Sequence, residues 1–495
     1  MKIIAKYWLL VALWVSASVF PAQAQSPTLD PSFIVTSAVR MNFGGMGAVW
    51  FQDVLRQPDG KLVVAGDFRS INGRPALRVA RLLPDGQVDT TFTAPPADGD
   101  ISTVALQADG KLLVGGRFTT LGGQSRIGIA RLLSTGALDP GFFSPFGGGP
   151  PPFAYSDVTK IVVQPGRGIL VLGGLTPIGS TGPGTVYVAR LLEATGARDA
   201  TFQPAFTTFD TRDVLVRPGG ELVFAGRPHQ IGGQPCLVWG TLPDGALDPA
   251  FVPLPGPDPL SQSFGLARDP ATGHLYVMAT NAGTGLRIEP VRLLPTGVRD
   301  PSFSTAGVFL AVGGGVANSL AVQPNGRLLL GGDFPNPGGG FFGSCRLLPG
   351  GALDPSYNSR RGPYTTVSKV LVQPDGALLF AGIFQEVVGL PVSGLARMLD
   401  PNVLSAHAPA SPDDEPALLA WPVPARDVLH LRLPAGRMAR QAALLDALGR
   451  VMLCQTLLAG QLVPVLPTAG LPPGGYLLRV TFASGPPAYR RVVVE

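Results

Sequence analysis

Chemistry in a protein starts from side chains that move protons, attack electrophiles or hold metals, and this chain is poor in them. It has four histidines (His229, His274, His407, His430) and three cysteines (Cys236, Cys345, Cys454) among 495 residues. No HExxH, GxSxG, CxxC or P-loop spacing occurs. A Ser-His-Asp triad needs a histidine relay. His229 and His274 are its candidates, and each reads better as a polar surface side chain. The cysteines are too far apart for a zinc set or a disulfide framework and read as small buried hydrophobes. Asp98-Gly99-Asp100 repeats the start of a calcium loop without its other ligands and reads as a solvated turn. The expectation is a chain with no catalytic residue, no metal and no cofactor.

Two charged residues do recur. An aspartate stands at Asp30, Asp89, Asp139, Asp199, Asp248, Asp300 and Asp354, usually within Leu-Asp-Pro. An arginine stands at Arg81, Arg131, Arg190, Arg292, Arg346 and Arg397, within Ala-Arg-Leu-Leu or a close variant of it. Either they form a ring of ligand or cation sites, or they build the unit that repeats. A feature present in nearly every copy is expected to be structural. The aspartate caps a turn, and the arginine is placed to pair with it across neighbouring strands.

The elements that carry these residues come from a repeated phrase. An apolar run leads to Gln-Pro-Asp-Gly, then to a run such as Lys-Leu-Leu-Val-Gly-Gly-x-Phe. A loop, Ala-Arg-Leu-Leu-Pro-Asp-Gly and Ala-Leu-Asp-Pro-x-Phe follow. The turn occurs at Gln57, Gln107, Gln164, Arg217, Arg268 (degenerate), Gln323 and Gln373. Seven copies give about 53 residues per repeat. Each copy holds four strand-like runs joined by Asp-Gly-type hairpin turns. Gly and Pro number 65 and 51, and charged residues make up 14% of the chain. This composition argues against a helical protein, and 45% hydrophobic residues argue against a disordered one. The fold expected is all-β: a seven-bladed β-propeller with four-stranded blades over residues 25–402. Leu29 to Phe33 precede the first full repeat, and the last repeat lacks its fourth strand. The N-terminal strand is therefore expected to close the last blade. These residues resemble the delta-60 repeat family of bacterial secreted proteins over about 29–402. The resemblance implies an architecture and no activity. Gly240 replaces the recurrent arginine in the fourth repeat, and Arg268 to Gly273 depart from the turn pattern in the fifth.

The two ends carry an address. Lys2 and Lys6, an apolar stretch from Tyr7 to Phe20, and Ala22-Gln23-Ala24 read as a signal peptide over 1–24 with cleavage after Ala24. The apolar stretch falls short of the roughly 20 residues that span a bilayer, and no transmembrane segment is expected in the mature chain. Residues 403–416 are rich in Pro, Ala and acids and read as a linker. Residues 417–495 show short strands with alternating polarity, as in Val428 to Leu433, and are expected to form a small Ig-like β-sandwich. The tail holds eight arginines against Asp427, Asp446 and Glu495. The bulk of the chain is near neutral, and nucleic acid is not expected as a partner. In order, Pro422, Pro424, Ala425 and Asp427, then Asp446, Gly449 and Arg450, then Gly475 and Tyr476 resemble the type A C-terminal sorting domain of the type IX secretion system. The resemblance implies the secretion machinery as a partner of the tail. It also implies release from, or anchoring to, the outer surface of a Gram-negative bacterium.

Function is expected where the repeats differ. The tight turns should share one end of a propeller, and the long loops should crowd the other. Loops at 143–155, 253–262, 337–342 and 357–364 supply Phe153, Tyr155, Phe341, Phe342, Tyr357, Arg360, Arg361 and Tyr364 as a candidate surface for a protein or glycan. The expected product is a secreted or surface-bound monomer that binds and does not catalyse. The alternative is a hydrolase or lyase with its site in the central channel, where Asp53, Asp157 and Asp213 would be the acids.

Overall fold

The computed structural model describes residues 27–33, 35, 38–39, 49–147, 156–178, 186–204, 211–231, 233–256, 262–281, 287–305, 317–335, 341–357, 363, 365–387, 389–400, 419–421, 425–433, 439–446, 450–457, 464–483 and 488–494. The chain divides into two compact units, 1–407 and 408–495. Every described element is a strand, and among the described residues no helix is long and apolar enough to cross a membrane.

In the first unit the seven repeats become seven antiparallel sheets. Their first strands are Trp50–Arg56, Asp100–Leu106, Asp157–Gln164, Thr211–Val216, Ser263–Arg268, Ala317–Val322 and Val367–Val372. Each pairs with a second strand that reads as an unbroken apolar run. Leu62–Asp67 is buried at every position, because both faces of its sheet are covered. Leu62 and Val64 pack toward sheet seven, against Leu379, Ala381 and Leu395. Val63 and Ala65 pack toward sheet two, against Ile101, Val104 and Leu112. The pattern recurs, with one apolar cluster between each sheet and the next. The first strand of each sheet lies against that of the following sheet, and Val367–Val372 returns to Trp50–Arg56.

The N-terminal segment joins the last sheet. Thr28–Leu29 pairs with Leu399 and Met398 at the edge of sheet seven. The N–H of Asp30 then donates to the carbonyl of Arg397 at 2.9 Å.

The fourth strand differs from expectation. In sheets one to six the Leu-Asp-Pro segment makes a single bridge, such as Leu82 with Val88 or Leu132 with Leu138. The aspartate ends the ladder by capping its own turn. Asp89 accepts the N–H of Thr91 at 3.0 Å, and the chain swings round to place Phe92 inward. The two-residue strand Leu254–Pro255 on sheet four arises farther along its loop.

The second unit has a sheet of Leu419–Trp421, Val428–Arg432 and Val465–Pro467, and another of Val451–Thr456, Ala439–Leu445, Gly474–Phe482 and Ala488–Val494. Leu429 and Leu431 from one meet Leu444, Leu478, Val480 and Val492 from the other in a single core.

Candidate ligand-binding cavity

The recurrent aspartate and arginine form one unit with an aromatic ring. Arg131 Nε donates to Asp139 at 2.8 Å, and its guanidinium lies 4.7 Å from the centre of the Phe142 ring. The same triple holds for Arg81 with Asp89 and Phe92, Arg190 with Asp199 and Phe202, and Arg292 with Asp300 and Phe303. It holds again for Arg346 with Asp354 and Tyr357, and for Arg397 with Asp30 and Phe33. The remaining donors reach the next sheet. Arg81 bonds the carbonyl of Ser134 at 2.7 Å, Arg190 that of Pro243 at 2.6 Å, and Arg397 that of Pro84 at 2.8 Å. In sheet four the Phe251 ring occupies the arginine's place: a Cβ on Gly240 would lie 2.5 Å from it. Asp248 there faces Arg217 at 3.6 Å.

The first strands enclose a different kind of site. In all seven, the register with the second strand shifts by one residue at the same place, for example between Phe51 and Asp53 and between Val158 and Lys160. Such a bulge re-aims the side chains beside it. A recurrent glycine on the second strand makes room for it. A Cβ on Gly66 would sit 2.0 Å from the Trp50 carbonyl oxygen, one on Gly116 2.0 Å from that of Asp100, and one on Gly382 2.2 Å from that of Thr366.

The re-aimed side chains surround a cavity of about 190 Å³ to which all seven first strands contribute. Its wall holds Gln52, Ser102, Thr103, Thr159, Asn318 and Ser368 beside the charged Asp53, Lys160, Arg212, Asp213 and Lys369, with Phe264 and Gly265. Asp213 faces Lys160 at 2.9 Å, and Asp53 faces Lys369 at 3.6 Å. Both carboxylates also tie strands together. Asp53 accepts the N–H of its neighbour Val54 and of Val104 in the next sheet, each at 3.0 Å. Asp213 accepts from Val214 at 2.9 Å and from Leu266 in the next sheet at 2.7 Å. Burial works against the Lys160 ammonium, but the carboxylates of Asp213 and Asp53 more than offset it and hold its pKa above the ordinary lysine range. The Arg212 guanidinium lies 4.3 Å from the centre of the Phe264 ring. Beside Ser368, the half-exposed indole of Trp50 is tethered by its N–H to the Ser368 hydroxyl at 2.8 Å.

The sequence-derived candidates fall elsewhere. Tyr357 is buried beneath Arg346 with its hydroxyl 2.7 Å from that of Ser344, so it is a core residue, not part of an exposed surface. Burial pushes its phenol pKa upward. Phe341 and Phe342 pair with Pro335 and Phe334 in sheet six. Phe153, Tyr155, Arg360, Arg361 and Tyr364 lie outside the described residues, as do Ala22, Ala24, Pro422, Pro424 and Gly449. Of the three channel acids, Asp53 and Asp213 line the cavity. Asp157 lies near Arg117 and Asp100, and burial raises its pKa. Asp98 is taken up by the N–H groups of Thr119 and Thr120, at 2.8 and 2.9 Å. His274 sits in a turn with its N–H 3.3 Å from the Thr272 hydroxyl. In the tail, Ala425 is buried, while Asp427 and Gly475 are exposed. Asp446 and Arg450 pair at 2.7 Å, and the Tyr476 hydroxyl donates to the Pro472 carbonyl at 2.6 Å.

The cavity residues did have a signal in the sequence. Gln52, Ser102, Thr159, Arg212, Asn318 and Ser368 each stand five positions before the first residue of the following tight turn. In all six a second polar residue follows directly (Asp53, Thr103, Lys160, Asp213, Ser319 and Lys369), ahead of an apolar stretch.

Three segments, 57–92, 107–142 and 323–357, match a family described as a domain of unknown function with a beta-propeller fold. No curated protein sequence matches the chain. Among solved structures, the extracellular domain assigned to a hybrid two-component system of B. thetaiotaomicron aligns at 13% identity and a TM-score of 0.41, over 92% of this chain and 56% of that one. The calcium-binding protein regucalcin of Agrobacterium tumefaciens aligns at 12% and 0.33, over 74% and 94%. An alpha-L-arabinanase of Penicillium chrysogenum aligns at 10% and 0.35, over 76% and 98%. The chain thus spans little more than half the length of the B. thetaiotaomicron domain.

Proposed function

We propose that this chain is an exported seven-bladed β-propeller that binds an extracellular protein or polysaccharide, without catalysis, at the end of the ring where the long loops gather. The observation that carries this reading is the axial cavity. All seven first strands line it, six of them with polar side chains and the fifth with Phe264 and Gly265, and they do so in the half of each strand that follows the longer connections. Its two carboxylates are committed to inter-strand bonds and to lysines, which supports binding over hydrolysis. A glycosidase-type acid pair needs carboxyl groups available to the substrate.

In this proposal residues 1–24 direct export to the periplasm. The tail, an Ig-like sandwich, is then read by the type IX secretion machinery and leaves the propeller in the medium or on the outer surface as a monomer. Support comes from the order of the tail's motifs and from the separate core of residues 408–495. The test is to express the full chain and a form ending at Asn402 in a type IX-competent host and to assay periplasm, surface and medium. Only the full chain should leave the periplasm. Equal export of both forms would overturn the sorting role.

A further inference from the structure

We infer that the axial cavity takes one terminal ring of a neutral saccharide, with Trp50 as the stacking platform at its rim. The inference rests on the binding reading above and narrows it to one ligand class and one site. Three observations carry it.

The first is charge pairing, which engages both carboxylates and two of the three cations in the wall. The cations Lys160 and Lys369 face Asp213 and Asp53 across the cavity wall. An anionic ligand would meet those carboxylates, and a cationic one would meet the lysines and Arg212. A polyol meets neither penalty, because each hydroxyl both donates and accepts. The lysine ammonium groups and the hydroxyl and amide groups of Gln52, Ser102, Thr103, Thr159 and Asn318 offer donors and acceptors side by side.

The second is the aromatic pair. Phe264 lies in the wall, and Trp50 begins the strand that supplies Gln52 and Asp53. Trp50 is 36% exposed, although it is large and apolar. The bond to Ser368 fixes the ring. A held, exposed indole beside a polar cavity presents a flat apolar face next to hydrogen-bonding groups, as the two faces of a pyranose require.

The third is size. A volume of about 190 Å³ lies below the roughly 300–1,000 Å³ of pockets that engulf drug-sized ligands. It suits one ring.

The test uses the mature full chain and a defined panel: gluco-, manno-, xylo- and arabino-oligosaccharides as neutral probes, and oligogalacturonate as an acidic one. Binding is read by calorimetry. It is also read by tryptophan emission in a Trp421→Phe background, which leaves Trp50 and the fully buried Trp239 as the mature chain's fluorophores. At least one neutral probe should bind and shift the emission. Trp50→Ala should weaken it tenfold or more, and Gln52→Ala severalfold, with melting temperature unchanged. Trp50→Phe should retain most of the affinity. Binding of a neutral probe that is indifferent to Trp50→Ala and Gln52→Ala overturns the site while leaving the binding reading intact. Binding of oligogalacturonate alone overturns the neutral class. No binding by any probe overturns the saccharide inference. The binding reading then stands or falls on capture of a surface protein by the long loops.

Discussion

At the scale of single residues the molecule is organised by a buried arginine used three ways. In Arg131 the guanidinium pairs with Asp139, covers Phe142 and donates to the carbonyls of Glu193 and Ala194 in the next sheet. A planar, permanently charged fork can do this and a lysine cannot. Removing one partner of a buried pair strands the other, at a cost of about 3–5 kcal/mol. Arg131→Ala should therefore lower the calorimetric melting temperature sharply, and Arg131→Lys should recover only part of the loss. An unchanged transition in Arg131→Ala would refute the staple. The aspartates add a pH dependence. Burial alone would raise the pKa values of Asp30, Asp89, Asp139, Asp199, Asp300 and Asp354. Hydrogen bonds from Ser32, Thr91, Gly141, Thr201, Ser302 and Ser356, together with the arginines, more than offset burial and hold them below the ordinary range. A depressed carboxylate stabilises the fold fully above its unfolded value, about 3.9, and loses that contribution as pH falls through the folded value. Near-ultraviolet circular dichroism should show the fold intact at pH 5 and failing below about pH 4, and loss of structure above pH 5 would contradict the assignment. The pairing of Asp with Arg could be read from recurrence alone. The bonds into the next sheet could not, because Arg81 and Ser134 are 53 positions apart.

At the scale of elements the governing feature is the bulge shared by the seven first strands. Inward polarity depends on it, since a one-residue slip exchanges the two faces of a strand. Where a glycine stands opposite the bulge, as Gly66, Gly116, Gly173 and Gly382 do, it is a steric requirement. Gly116→Ala would place a methyl 2.0 Å from the Asp100 oxygen, and overpacking of this kind costs about 1–3 kcal/mol or more. Thermal melts should show a clear loss for Gly116→Ala and none for Gly350→Ala, where the added methyl meets nothing within 4 Å. Equal melting of the two would remove the glycine from the account. The tight turns and the buried second strands were legible in the sequence because Asp-Gly chemistry and unbroken apolar runs are local signals. The expected fourth strand shrank to a single bridge because the aspartate, read as part of that strand, caps the turn that ends it. Of the cavity, the sequence points only to Asp53 and Asp213, for a related reason. Polar pairs such as Thr159-Lys160 look like ordinary alternation until the bulge turns them to the axis. Tyr357 opens a variable loop in the sequence, but it stands where other repeats carry the core phenylalanine and is buried under Arg346 in the same way.

At the scale of the whole first unit, stability depends on a contact between residues 367 positions apart, Asp30 with Arg397. Thr28–Leu29 covers the outer edge of sheet seven, Phe33 lies under Arg397, and Arg397 in turn holds Pro84 of the first sheet. Removing residues 25–33 should therefore do more than delete one short strand. It uncovers Leu395–Leu399 as a strand edge with open N–H and C=O groups, which invites pairing with a second chain. It also takes the carboxylate from a buried guanidinium and loosens the join between the seventh and first sheets. The expected outcome is a lower melting temperature and concentration-dependent dimers or larger species in size-exclusion chromatography. Asp30→Asn keeps the strand and removes only the charge, so it should lower the melting temperature while the chain stays monomeric. If the deleted form remained monomeric and melted as the parent does, the joins between sheets would be sufficient by themselves, and the N-terminal strand would be an ornament on an already closed ring. The seven apolar clusters argue that such a ring can assemble. The charged clasp of Asp30 and Arg397 beside its seam argues that the seam is where it first opens.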